Sequence, residues 1–429
     1  MKKKYRIILY TSIFLLCVVA SIILVVKKSN SVYEEESKPK VVKHKSMLSM
    51  NLEQTAGSGD YKTVTQSKWP TEGYKFNAEL SRCENGSTLS WDDTKKAVIV
   101  SGNLSDKCYV YFDIYQPTLA EYIKSQYTGT QGENNIYYHD SDLANGAGDN
   151  SYRYAGANPN NFVCFGTTES PCPTDNLYRI IGVFGENYHG VTGKQLVKLI
   201  KYDYMTTDEL GTDGDYSQTY KEWGMDSTYK GTYGDGERIG VYYWNYKATG
   251  SATNTWSTSL LNKTNLNTNF INNIGTTWAN KIATVTWKVG GNTWANIGTK
   301  TSSVAYTNEI TNPVTTNTTD NATTYSAKIG LMYVSDYGFA ASPDAWTLTM
   351  SSYNNTTATN NNWMYMGLYE WTISRSAGNS YIAFSVNFVG HVLSNDVSYD
   401  YGVRASFNLE SSVSYVSGSG SMSDPIVIN

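Results

Sequence analysis

Residues 7–26 read IILYTSIFLLCVVASIILVV and carry no charged side chain. Coiled as a helix, such a run rises about 30 Å, the thickness of a bilayer's hydrocarbon core. Lys2, Lys3, Lys4 and Arg6 precede it, and Lys27 and Lys28 follow. The heavier positive end belongs in the cytoplasm, so the chain after the run is expected outside the plasma membrane. Residues 1–28 are therefore read as a cytoplasmic tip and an uncleaved, single-pass transmembrane helix. A cleaved signal peptide is the alternative, but Val18-Val19-Ala20 is a poor cleavage site lying inside the run. Cys17 follows Leu16, which is not the small residue a lipoprotein site wants, so it reads as an apolar residue of the helix.

Export shapes the reading of the cysteines. Outside the run there are four: Cys83, Cys108, Cys164 and Cys172. An even number in an oxidising compartment reads as two disulfides. Three pairings are open. Cys83–Cys108 and Cys164–Cys172 are preferred because each brackets a compact segment. Four buried thiols remain the alternative. Zinc has little support, since there is no CxxC and the histidines lie far from the cysteines in sequence.

The net charge of −4 conceals an asymmetry. Residues 1–47 hold ten Lys or Arg against three Glu, which leaves −11 for the remainder. An acidic ectodomain repels phosphate backbones, so nucleic acid is not an expected partner. Charged residues make up only 17% of the chain, whereas tyrosine alone numbers 36. With abundant Gly, Asn, Thr and Ser, this composition suits a loop-rich extracellular α+β protein.

Residues 29–69, with the run EEESKPKVVKHK, have too few apolar groups to bury and are read as a disordered stalk. Residues 70–115 are read as a small β module: STLSWDDTKKAVIVSG as two strands around a turn, KCYVYFDIY as a third. Residues 116–429 are read as the main domain. Pro117 opens a short helix, PTLAEYIKSQY. Strands are expected at FVCFG, NLYRIIGVF, KQLVKLIKYD, GVYYW, KIGLMYVSDYGFA, YIAFSVNFVGHV, GVRASFNLE and PIVIN. Leu260, Leu261, Leu266, Phe270, Ile271 and Ile274 keep helical spacing, with a break expected at Asn265 and Asn267. TWAN occurs at 277 and 293, which is too few copies for a repeat and is read as the edges of a local hairpin.

The segments GLYEWTISRSAG (367–378) and YGVRASFNL (401–409) resemble the formylglycine-generating-enzyme-like branch of the C-type-lectin fold. The resemblance covers residues 175–429. Other segments look like those of surface proteins from gut Firmicutes. The resemblance implies a C-type-lectin-like mixed domain with long loops, in which Trp363 and Trp371 fill the core. It also implies a scaffold role for Glu370. A carboxylate buried beside Trp371 needs a cation, and Arg404 is the candidate partner, with Arg375 second. The oxidases of that branch bind copper through a cysteine pair near the C-terminus. No cysteine follows Cys172, so the resemblance does not extend to that activity.

Other catalytic signatures are missing. The four histidines, His44, His139, His189 and His391, show neither HExxH nor HxH spacing. There is no GxSxG elbow and no phosphate-binding glycine loop after a strand. The loop YHDSDLANGAGDNS offers Asp140, Asp142, Asn145 and Asp149 as oxygen ligands for calcium, although its spacing is not that of an EF-hand and plain turn chemistry accounts for it equally. No other cofactor is expected. The C-terminal stretches are dense in Tyr, Asn and Ser, residues that give large contact area at small entropic cost. Tyr381, Asn387, Asn395, Asp396, Tyr399 and Tyr401 are the candidate ligand contacts.

The function expected is that of a membrane-anchored binding or adhesion protein for an extracellular protein or glycan. A hydrolase without a recognisable motif and a purely structural envelope protein are the alternatives. Protease added to intact cells, or to protoplasts where a wall intervenes, should digest the chain beyond residue 28. A fully protected chain would overturn the topology.

Overall fold

A computed structural model describes residues 48–65, 68–70, 73–103, 105–220, 229–233, 239–292, 297–313 and 323–429. The apolar run at 7–26 and the stalk up to residue 47 lie outside them. Among the described residues no helix is long and apolar enough to cross a membrane. The protein is α+β and divides into two compact units, Met1–Tyr115 and Gln116–Asn429.

The first unit is built on a four-stranded sheet in the order Tyr61–Val64, Leu48–Glu53, Cys108–Ile114, Tyr74–Cys83. Here the stalk boundary needs correction, because residues 48–64 supply two of these strands. Leu48, Met50 and Leu52 alternate at the period of a strand, and Leu48–Glu53 runs parallel to Cys108–Ile114 with Met50 opposite Val110. On its other edge it pairs antiparallel with Tyr61–Val64, and the partner that carries it into the core lies some sixty positions away, which local composition does not reveal. Met50, Leu52, Val110 and Phe112 form a small core, with Trp69, Phe76 and Trp91 packed against it. The hairpin Thr88–Asp92/Ala97–Ser101 turns where Asp92 Oδ1 accepts the Thr94 and Lys95 amides. A Cys83–Cys108 disulfide ties neighbouring strands at one end of the sheet.

The second unit opens with helix Leu119–Ser125. Pro117 stands just before its cap, Thr118, which exchanges hydrogen bonds with Glu121 in a capping box. Two seven-stranded sheets follow. The first runs Ile329–Gly330, Ser406–Asn408, Leu196–Lys201, Leu177–Phe184, Ser151–Tyr154, Ile136–His139, with Phe162–Cys164 also paired to Leu177–Phe184. The Cys164–Cys172 disulfide leaves from this last strand. The second sheet runs Tyr216–Tyr220, Ile239–Tyr243, Asp400–Gly402, Glu370–Ser376, Ile382–Val386, Val392–Asp396, with Gly291–Asn292 beside Glu370–Ser376. Trp244, Trp256, Trp287, Trp346 and Trp371 are fully buried in the core of this unit, and Trp363 nearly so. Their indole N–H groups reach backbone carbonyls where these are in range, as Trp371 does to Tyr242 O (2.8 Å) and Trp363 to Tyr154 O (2.8 Å).

Three local expectations are corrected. Asn265 and Asn267 do not break the helix: Leu261–Phe270 runs through both in wide turns, and the interruption comes at Gly275, whose φ is +75°. The asparagines stay helical because their amides satisfy neighbouring backbone. Asn265 holds Leu210 O, Asp213 O and Asp215 N, and Asn267 holds both polar groups of Ile329. The TWAN hairpin does not form. Trp278 lies in helix Ile271–Ala279, Val285–Lys288 pairs instead with Thr324–Ala327, and the second copy, at 293–296, lies outside the described residues. KIGLMYVSDYGFA is not one strand: only Ile329–Gly330 is extended, and Val334–Phe339 is helical, started by Asp336 accepting the Tyr333 amide at 2.9 Å.

Glu370 and Arg404 meet in the interior, both essentially without solvent contact. Arg404 Nε donates to Glu370 Oε1 at 2.7 Å and Nη2 to Oε2 at 2.9 Å, while Nη2 also reaches Met364 O at 2.7 Å. Burial pushes the Glu370 carboxyl above its usual range and the facing guanidinium opposes that shift. Arg375 turns elsewhere, to Val289 O at 2.7 Å. Truncating one member of such a pair strands the other charge, at about 3–5 kcal/mol. Glu370→Ala and Arg404→Ala should each lower thermal or denaturant stability by that order, and the double variant should lose less than the sum of the two. Additive losses, or singles within 0.5 kcal/mol of the parent (about the scatter of surface substitutions), would remove the coupling.

Candidate functional site

A cleft of about 420 Å³ opens at one end of the second sheet, lined by Tyr246, Lys247, Gly250, Ser251, Ala252, Tyr381, Asp396 and Ser398. Two walls make it. One is the loop that follows strand Ile239–Tyr243; the other joins the start of Ile382–Val386 to the turn after Val392–Asp396. These walls are distant in sequence and held together by backbone recognition. Asn254 Nδ2 lies 2.8 Å from each of Ser376 O, Asn379 O and Ile382 O, and the Asn254 amide donates to Ser380 O at 2.6 Å. Asn245 N donates to Val397 O at 3.1 Å, and Val397 N to Tyr381 O at 3.0 Å. Asn254 and Val397 are fully buried, so the rim of the cleft rests on a fixed base.

The exposed side chains have defined supports. Tyr246 stacks on Tyr243, centroids 4.6 Å apart, and remains 43% exposed. Tyr381 is 46% exposed. Asp396 Oδ1 accepts the Ser398 amide (3.0 Å) and hydroxyl (2.7 Å), closing the turn that presents Tyr399, itself 50% exposed. Behind it the ring contacts continue inward. Tyr399 meets Tyr401 edge-on at 6.1 Å, Tyr401 stacks on Tyr369 at 4.7 Å, and Tyr369 meets the exposed Phe388 at 5.7 Å. The cleft thus offers two aromatic faces, hydroxyl groups and one charge of each sign, Lys247 and Asp396.

The six candidate contacts separate into two groups. Tyr381 and Asp396 line the cleft, and Tyr399 stands on the adjoining turn. Tyr401 and Asn387 do not present a contact surface: Tyr401 is packed between Tyr369 and Trp371, and Asn387 Oδ1 accepts the amides of Val389 and His391 to shape a turn. Asn395 is half-buried and accepts the Ser385 hydroxyl at 2.7 Å. Sequence reasoning missed the wall at 246–252. Its signal was available in NYKATGSATN, a polar loop straight after the strand GVYYW, but nothing local says that it faces Tyr381.

The carboxylate loop does not converge. Asp140 Oδ1 accepts the amides of Asp142 and Leu143, Asp142 and Asn145 are exposed, and Asn145 takes a left-handed turn position with φ +60°. Asp149 points inward to Arg153 Nη2 at 2.8 Å; burial would raise its carboxyl, but the guanidinium and the Ser151 hydroxyl leave it below the usual range. Among the described residues no three His, Cys, Asp or Glu side chains are grouped to hold a metal. His139 is fully buried against Phe339 and Trp346, and desolvation, with Arg153 nearby, keeps the imidazole neutral. Compared with known proteins, the chain matches no family model, no curated sequence and no solved structure.

The exposed and inward groups should respond differently to truncation. Tyr246→Ala and Tyr399→Ala should leave stability within about 0.5 kcal/mol of the parent. Tyr401→Ala should cost about 3 kcal/mol or more, the range for a buried aromatic. Denaturant titration reads both, and equal losses at Tyr399 and Tyr401 would contradict the division.

Proposed function

We propose that the protein is a membrane-anchored extracellular binding or adhesion protein whose cleft at Tyr246, Tyr381 and Asp396 takes the ligand. The observation that carries this reading is the cleft itself: two half-exposed tyrosines, one stacked on Tyr243 and the other on a backbone held by Val397, beside small residues, hydroxyls and one charge of each sign. Rigid aromatics with adaptable polar neighbours are recognition chemistry, because the rings bring contact area without much rotamer entropy to lose. The loops at the rim are long, and such loops on a rigid scaffold commonly carry function.

Two further observations support the setting. The charge-free run at 7–26 with its basic lead is anchor-like, and two disulfides suit an oxidising compartment. The likeness to the C-type-lectin fold enters as part of the same proposal. A scaffold role for Glu370 agrees with its burial against Arg404, and ligand contacts near the C-terminal strands agree with the position of Tyr381 and Asp396.

A glycan and protein array probed with the purified full chain tests the reading. Binding should be retained by a Tyr138→Ala variant, whose half-buried side chain is not part of the cleft lining, and weakened about tenfold or more by Tyr246→Ala or Tyr381→Ala, as for aromatic anchors at interfaces. A ligand whose affinity is unchanged by both cleft substitutions would place recognition elsewhere.

A further inference from the structure

The interior of the second unit holds a charged group that the cleft does not use. Strand Leu196–Lys201 is buried along its whole length, and Lys198 in its middle has no solvent contact. Its Nζ lies 2.7 Å from Asp336 Oδ2 and 2.7 Å from the Tyr188 hydroxyl. Asp336, in the first turn of helix Val334–Phe339, is equally buried. Its other oxygen, Oδ1, accepts the Tyr188 hydroxyl at 2.6 Å and faces Arg153 Nη1 at 3.7 Å. That guanidinium nitrogen is buried and makes no hydrogen bond. The rings of Tyr188, Trp287 and Tyr333 surround the ammonium, 4.3–4.9 Å from Nζ to the centroids.

A second carboxyl enters from the neighbouring segment. Glu309 is fully buried, its oxygens held by the amides of Val334 and Ser335 and by the Ser374 hydroxyl, at the start of the helix that carries Asp336. Burial pushes this carboxyl up to about 7 against those hydrogen bonds, so it exchanges protons near neutral pH. Burial likewise lowers the Lys198 ammonium, with Asp336 opposing.

In water an ammonium beside a carboxylate stays an ion pair. This site differs in three respects. The charged forms are costly in a dry cage, and condensation would remove two of them. The amine is held 2.7 Å from an oxygen of the carboxyl group it would attack, and proximity of this kind is worth effective concentrations of about 10⁵–10⁸ M in well-oriented systems. The Tyr188 hydroxyl donates at 2.6 Å to Oδ1, the oxygen on which negative charge would develop, with the Arg153 guanidinium 3.7 Å away.

We propose that Lys198 and Asp336 are a self-modification site, at which an amide cross-link forms between Lys198 Nζ and Asp336 Cγ. A proton first passes from the ammonium to the carboxylate, leaving a neutral amine and a neutral acid. Nζ then attacks Cγ, and the C–N bond forms while Oδ1 takes the negative charge under the Tyr188 hydroxyl and Arg153. A second Nζ proton passes to Oδ2, its neighbour at 2.7 Å. The Cγ–Oδ2 bond breaks, Oδ2 departs as water, and the amide nitrogen keeps one hydrogen. An ammonium and a carboxylate become an amide and one water, with no change of oxidation state and no co-reactant. The product ties the middle of a central strand covalently to a helix 138 positions further along the chain.

Peptide mapping of the full chain, folded, then reduced, denatured and digested, reads the bond directly. The expected product is a branched peptide joining the segments around Lys198 and Asp336, lighter than the two together by one water. Lys198→Arg and Asp336→Ala should yield linear peptides only. Linear peptides alone from the folded parent protein would overturn the proposal, and this arm does not depend on any variant folding.

Discussion

The second sheet depends on a charge that cannot be left alone. Arg404 is taken wholly out of water, and a guanidinium there must be matched by a carboxylate and its remaining donors satisfied. Glu370 supplies both oxygens, and Met364 O receives another donor. The pair joins the start of strand Glu370–Ser376 to the segment leaving Asp400–Gly402, where the two strands run parallel with Glu370 beside Gly402. Gly402 is required there: a Cβ would come within 2.8 Å of the Tyr204 ring and 3.2 Å of Tyr369 O. Once these strands are placed, the turn at 396–399 and the rim of the cleft have little freedom left.

The same rule governs the first sheet of this unit in a more crowded form. Lys198, Arg153, Asp149 and Asp336 bury two positive and two negative side chains within reach of one another. Glu309 sits at the start of the helix that carries Asp336, its carboxyl pushed up to about 7 by burial. Aromatic rings fill the space between, so the charges meet π faces and one another instead of water. Stability in this interior comes from apolar and aromatic burial, and the ionic groups constrain which arrangement of strands is allowed. That division explains why the walls of the cleft can sit on loops: the scaffold below them is over-determined.

Several elements were legible because their causes are local. The hairpin at Asp92 carries its turn chemistry in four residues, and the helix at Leu119 carries its cap in Thr118 and Glu121. Other elements had causes elsewhere in space. Leu48–Glu53 is a strand because Cys108–Ile114 receives it. The helix through Asn265 and Asn267 survives because Leu210, Asp213 and Ile329 lend their backbone groups to the asparagines. At 329–339 an apolar run was read as one strand; length and hydrophobicity do not distinguish a buried strand from a buried helix turn, and Asp336 tipped the balance as an N-terminal acceptor.

By itself the sequence indicated the α+β class, two disulfides among the four cysteines beyond the apolar run, the cation that Glu370 needs once it is buried, and an acidity that disfavours phosphate partners. Each follows from chemistry carried by the residues themselves: redox state, desolvation cost, net charge and short-range periodicity. Only the tertiary structure decided that Tyr381 and Asp396 face Tyr246 and Lys247 across a cleft while Tyr401 and Asn387 turn inward, and that Lys198 reaches Asp336. The physical reason is that such placements are set by strand pairing between segments more than a hundred positions apart, where the direction of a side chain depends on register, and register is fixed by partners that no local stretch of sequence contains.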